Sequence, residues 1–160
     1  MRLFEIEQVK AFTSQLFAGE EFDDFLLYEA QFSTSATFTI DGRVNEPFVG
    51  EEQMQLPDFR EGFVTWRKLK KICFEIIKGR KVPQQFKVVL KLSEKQTGSF
   101  LREKDAASWK EQISALFLNI SFRENHLTCT TGTMMKEFSM DKTLETLWDE
   151  YAGSLLKAYM

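Results

Sequence analysis

The side chains with the strongest intrinsic chemistry are few: one histidine, His126, and two cysteines, Cys73 and Cys129, in 160 residues. A histidine works as a general base only with a nucleophile or substrate in hydrogen-bond reach. His126 follows Glu124-Asn125, which reads as a turn, so its simplest assignment is an exposed turn side chain. A reactive thiolate needs partial exposure and a positive neighbourhood. Cys73 falls on the apolar side of a helical pattern, where a free cysteine packs as a small hydrophobe. Cys129 is close to His126 in sequence, which does not make a catalytic pair. The hydroxyl-rich run LTCTTGT at 127–133 has one glycine. A phosphate cradle would need several glycines or a lysine entering a helix, whereas β-branched neighbours suit a strand. Asp23, Asp24, Glu51 and Glu52 lie in acidic loops without calcium-loop spacing, and the cysteines form no zinc motif or disulfide framework. No cofactor or metal is expected. The enzymatic reading that stays open is a carboxylate pair drawn from distant segments.

Charge gives a better lead. The formal net charge is only −3, but residues 1–62 hold four bases and 13 acids, and residues 63–91 hold nine bases and one acid. Arg67, Lys68, Lys71, Lys78, Arg80 and Lys81 come from a helix and the turn after it, and Lys87 and Lys91 extend the set into the next segment. Clustered cations neutralise phosphates and give salt-sensitive, sequence-independent binding. The competing reading is a solvated helix face, or a surface that lies against the acidic N-terminal third. The acidic pI of about 5.4 argues against a nucleic-acid domain, as does the lack of a helix-turn-helix or stacking motif.

Sixteen phenylalanines make up one residue in ten. Phe12, Phe17, Phe32, Phe38, Phe86, Phe122, Trp66 and Trp148 occupy core-facing periods. Phe22, Phe48, Phe59, Phe63 and Phe100 have no clear period. The first four of these flank acidic loops and are the candidate pocket or partner aromatics, set against the simpler reading that they clamp loops to the core.

The elements that position these residues follow from periodicity. Residues 5–18 predict an amphipathic helix stopped by Gly19. Residues 25–40 alternate with period 2 and predict an extended segment broken near 33–35; Asp41-Gly42 predicts a hairpin into residues 43–48. Residues 49–62 form a long acidic connection, with room for a short helix near 51–56. Residues 65–78 predict a mostly buried helix, with Trp66, Leu69, Ile72, Cys73, Ile76 and Ile77 on one face. Residues 86–92 predict a strand. Ser93 and Gln96 form a capping box for a helix over 93–104. Residues 113–122, 127–132 and 133–140 predict strands. Residues 142–158 predict a second terminal amphipathic helix capped by Asp141, with Gly153 on its outer face. Hairpin connections outnumber crossovers. The expected architecture is therefore a single α+β domain over 1–160, with a largely antiparallel sheet and helices packed on one face.

Five segments carry a resemblance: FLLYEA at 25–30, TFTIDGR at 37–43, IKGRKVP at 77–83, LTCTTGT at 127–133 and TLETLWDE at 143–150. Together they resemble a bacterial domain-of-unknown-function family. The resemblance implies an intracellular bacterial protein and carries over no catalytic or binding residue.

The longest apolar stretch, at 115–118, is far short of the roughly 20 residues a membrane helix needs, so no membrane partner is expected. The acidic first residues argue against a signal peptide, and a cytoplasmic location is expected. The leading functional expectation is a non-enzymatic binding or interaction domain with a protein partner or a second copy of itself. The alternatives are nucleic-acid or anion binding through residues 67–91, and a carboxylate-based enzyme.

Overall fold

A computed structural model describes residues 1–160. Six strands form one sheet: β1 (Leu3–Ile6), β2 (Leu26–Ser33), β3 (Thr37–Asp41), β4 (Gln85–Lys91), β5 (Ile113–Arg123) and β6 (His126–Met135). Their order is β1-β6-β5-β4-β2-β3, and every neighbouring pair is antiparallel. The helices are α1 (Val9–Phe17), α2 (Glu46–Val49), α3 (Trp66–Ile77), α4 (Glu94–Glu103) and α5 (Thr143–Leu156), with 3-10 turns at Gln53–Gln55, Ala107–Gln112 and Lys157–Tyr159. This is the expected α+β fold with an antiparallel sheet, and α1, α3, α4 and α5 all contribute to its core.

Register sorts the side chains of the two faces. Phe32, Phe86 and Phe122 align across β2, β4 and β5, as do Ala30, Val88 and Ile120 in the next row. Cys129 opposes Ile120 and pairs outward with Phe4. All of these are buried in one core of 31 residues. Side chains of the other parity form a row of different chemistry: Gln31, Lys87, Ser121 and Thr128. Period-2 alternation thus yields a sheet with one apolar and one polar face.

Several expectations are corrected. Residues 3–6 form a strand, so the helix expected from residue 5 starts later. Phe4 and Ile6 alternate inward because β1 pairs with β6, and α1 begins only at Val9. The break expected near 33–35 is a hairpin turn at 34–36, where β2 returns as β3, whereas the hairpin expected at Asp41-Gly42 is not formed. Gly42 instead lies against the Leu27 carbonyl, and a Cβ there would stand 1.8 Å from that oxygen. Residues 126–135 are one strand rather than parts of two, held in register by β5 along their length. In α3 only Trp66 and Cys73 are buried, and Ile72 is 54% exposed, because the helix packs by one narrow stripe. Phe38, placed in the core by its period, is 41% exposed on the edge strand β3. Gly153 lies under the Phe4 ring, 3.3 Å from a would-be Cβ, and so belongs to the α5–β1 contact and not to an outer face.

Local signals account for other elements. The Ser93 hydroxyl accepts from the Gln96 N–H at 3.2 Å, and the Gln96 side chain accepts from the Ser93 N–H at 3.1 Å, so the α4 capping box is complete. The Asp141 carboxylate accepts from the Thr143 N–H at 2.9 Å at the start of α5. Glu124 and Asn125 both have positive φ and make the two-residue β5–β6 turn.

Candidate binding cleft

A cleft of about 720 Å³ lies where β4 runs into α4 and β5 begins. It falls within the range typical of small-ligand sites. Arg60 and Glu61 enter it from the long connection, Lys91 from the end of β4, Lys110 and Glu111 from the 3-10 turn before β5, and Lys136 from the residue after β6. The Lys136 N–H donates to the Gln112 carbonyl at 2.9 Å, which fixes that segment against the 3-10 turn. Thr97, Gly98 and Ser114 complete the polar wall.

The charges in the cleft are not mutually neutralised. No carboxylate oxygen lies within 4.0 Å of the charged nitrogens of Arg60, Lys91, Lys110 or Lys136. Glu61 is committed elsewhere, accepting from the Glu94 N–H at 2.8 Å at the start of α4. The lining contains no cysteine, histidine or tyrosine. Four cations and three carboxylates, Glu61, Glu94 and Glu111, share the lining, a formal excess of one positive charge.

A second concavity lies around the Tyr28 bulge of β2 and the end of β3. It is lined by Tyr28, Glu29, Asp41, Arg43 and Phe63 among others. Tyr28 is displaced by a bulge in β2 between Leu27 and Glu29. Its ring lies 5.4 Å from Phe63 and 5.0 Å from Phe117, and the Lys91 ammonium rides 4.7 Å above the Phe63 ring. Lys91 thus belongs to both the cleft and the aromatic cluster. Arg43 closes a chelated pair on Asp41, with Nη2 at 3.0 Å, and the hydrogen bonds from Arg43 hold the Asp41 carboxyl below its ordinary range.

The candidate aromatics separate. Phe22 is buried against Phe12 and Phe25, Phe59 is half-buried, Phe63 joins the cluster just described, and Phe48 is 87% exposed. The basic set also divides. Arg67 bonds Asp58 and Asp24, each at 3.2 Å, and Lys78 pairs with Glu75 at 2.6 Å. Lys68, Lys71, Arg80 and Lys81 are exposed, with no carboxylate in pairing distance. Lys70, absent from the candidate set, bonds Asp23 at 2.6 Å and the Gly19 carbonyl at 2.7 Å, so part of the segment lies against the acidic N-terminal third. The cleft cations other than Lys91 were not candidates. Arg60, Lys110 and Lys136 sit in segments without a common period, and only the β4–β5–β6 topology brings them together.

His126 is exposed at the first position of β6. Cys73 and Cys129 are buried free thiols, and burial pushes both up to about 12. An unfolded thiol ionises near 9, so above that pH the unfolded chain loses protons first, and stability falls as pH rises from 9 towards 12. Both thiols should therefore resist an aromatic disulfide reagent at mildly alkaline pH and react fully in guanidinium. A thiol that titrates rapidly in the native protein would contradict this packing. No group of three or more His, Cys, Asp or Glu side chains is placed to hold a metal ion, and no helix is long and apolar enough to cross a membrane.

Comparison with curated proteins and with solved structures finds no match. A family model does match, over residues 15–160, which takes in every element from the end of α1 onward and includes all of the cleft. Like the five segments quoted above, it carries no assigned activity. The chain belongs to DUF5721, a family of unknown function.

Proposed function

We propose that this protein is a non-catalytic binding domain whose recognition surface is the aromatic cluster around Tyr28 and the adjoining cleft. The observation that carries the reading is the convergence there of Tyr28, Phe63 and Phe117 with Lys91. Aromatic rings beside a cation on a rigid strand framework are recurrent anchors of recognition. Helices α1, α3, α4 and α5 contribute to the core, whereas these side chains lie outside it, against the connection over residues 42–64. A bacterial cytoplasmic setting fits the family resemblance and the two free thiols.

Native mass spectrometry and a sedimentation concentration series on freshly purified protein test this reading, together with hydrogen exchange. A retained ligand, partner or second copy should slow exchange at the amides of β2, β4 and β5 around Tyr28, Lys91 and Phe117. A strict monomer that retains nothing, with unchanged exchange at these amides across the series, would count against it.

A second reading is supported by Lys68, Lys71, Arg80 and Lys81, which have no carboxylate partner and could bind nucleic acid. Fluorescence anisotropy with single-stranded and double-stranded oligonucleotides at about 50 mM salt tests it, because phosphate contacts are strongest at low salt. Binding that weakens uniformly in K68E/K71E would favour it, and no binding at all would remove it.

A further inference from the structure

We propose that the cleft between residue 60, the β4–α4 junction and the start of β5 is a site for a small phosphorylated compound whose body carries hydroxyl or amine donors. The proposal deepens the binding-domain reading and rests on it. Arg60, Lys91, Lys110 and Lys136 line this one cavity from four separate segments. None has a carboxylate in pairing distance, although the chain holds 24 acids against 21 lysines and arginines. Glu61, Glu94 and Glu111 share the lining, but none is paired with these cations, so the four side chains stay free to turn onto an incoming anion and the cavity keeps a formal excess of one positive charge. A phosphate group offers enough oxygens to engage several of them at once, with charge-assisted bonds about twice as strong as neutral ones.

The rest of the wall selects the body of the ligand. Glu94 and Glu111 accept hydrogen bonds and repel a purely anionic body, while the Thr97 and Ser114 hydroxyls can donate or accept. Such a wall suits a sugar or amino body better than a second anionic group. The volume of about 720 Å³ accommodates a ligand of that size and leaves a bare phosphate much of the cavity unfilled.

The test is isothermal titration and amide-shift mapping with four probes: ribose 5-phosphate, ribose, pyrophosphate and citrate. The expected result is saturable binding of ribose 5-phosphate, with ribose and citrate each weaker by about tenfold or more. The largest amide shifts should fall at Thr97, Ser114 and Lys136. Lys110 and Lys136 are exposed, so K110E/K136E should keep the native circular dichroism and melting point while losing about tenfold or more in affinity. K68E/K71E, the same charge change on α3, should bind as the wild type does. No saturable binding of ribose 5-phosphate at low salt would overturn the proposal. So would citrate binding equally well, or an equal loss in K68E/K71E. Pyrophosphate binding more tightly than ribose 5-phosphate would overturn the donor-bearing body. Slowed exchange around Tyr28 in freshly purified protein, with no response to any phosphate probe, would leave the binding-domain reading standing and remove this one.

Discussion

Replacing Trp66 with alanine should lower the unfolding free energy by about 3–5 kcal/mol, the range for removing a fully buried tryptophan. Trp66 opens α3 and has no exposed surface. Its ring lies 5.8 Å from Phe17 of α1, and its backbone N–H donates to the Phe25 carbonyl at 2.9 Å, just before β2. The indole N–H donates to the Leu16 carbonyl at 2.6 Å. That carbonyl belongs to the last turn of α1, where carbonyls lack intrahelical partners. One side chain therefore fills the space between α1, α3 and the sheet, and also satisfies the end of a helix. Lys70, one turn later, donates to the Gly19 carbonyl just past the same helix end and to Asp23. Trp66→Phe separates the two contributions. It keeps most of the volume and leaves the Leu16 carbonyl unpaired, so it should cost about 1–3 kcal/mol. Urea denaturation followed by circular dichroism reads both variants. An alanine variant within about 1 kcal/mol of wild type would show that α1 does not depend on this contact.

Legibility in the sequence followed the range of the signal. The α4 capping box is encoded within four residues, Ser93 to Gln96, and it was readable without any knowledge of the sheet. The β5–β6 turn at Glu124-Asn125 is equally local. β1 is not legible locally because its reason for being a strand lies at Leu127–Thr130, more than 120 residues away. Ile6 stands three residues before Val9 and so fits the stripe of the following helix as readily as it fits an alternation. Ile72 failed for a related cause: periodicity orders residues around a helix but does not say how wide a stripe the neighbours will cover. The cleft was out of reach for the same physical reason as β1. Arg60 and Lys136 lie in segments with no periodic pattern, and no local rule joins a loop residue to the residue after a strand 76 positions later. Lys91 was noted as a strand cation, but its place over the Phe63 ring depends on how the long connection folds back.

Gly42→Ala should destabilise the protein by about 3 kcal/mol, at the upper end of the cost of overpacking, and should disturb the aromatic cluster more than the core. The Asp-Gly pair reads as a turn signal, yet Gly42 does not have the positive φ such a turn would use. It is needed for close approach. A Cβ there would stand 1.8 Å from the Leu27 carbonyl oxygen and 2.5 Å from its carbon, and these are backbone atoms that no rotamer change can move. The same glycine is held from both sides: its N–H donates to the Tyr28 carbonyl at 3.0 Å and its carbonyl accepts from the Val64 N–H at 2.9 Å. Val64 in turn accepts from the Leu27 N–H at 2.9 Å. This lattice clamps the start and end of the connection over residues 42–64 onto the bulge that displaces Tyr28, and Phe63 sits within it. An added methyl must push the connection off β2, so Tyr28 and Phe63 should separate while Phe32, Phe86 and Phe122 stay packed. Gly98, in the interior of α4, is the contrast. Its would-be Cβ meets nothing nearer than the end of the flexible Arg102 side chain at 3.4 Å. Gly98→Ala should therefore stabilise by up to about 1 kcal/mol through helix propensity. Urea midpoints give the two signs, and amide shifts at Tyr28 and Val64 locate the damage. If Gly42→Ala were neutral, or if its shifts spread through the core rows instead, the connection would not be braced on the bulge, and Phe63 and Lys91 would lack the rigid support that a recognition surface needs.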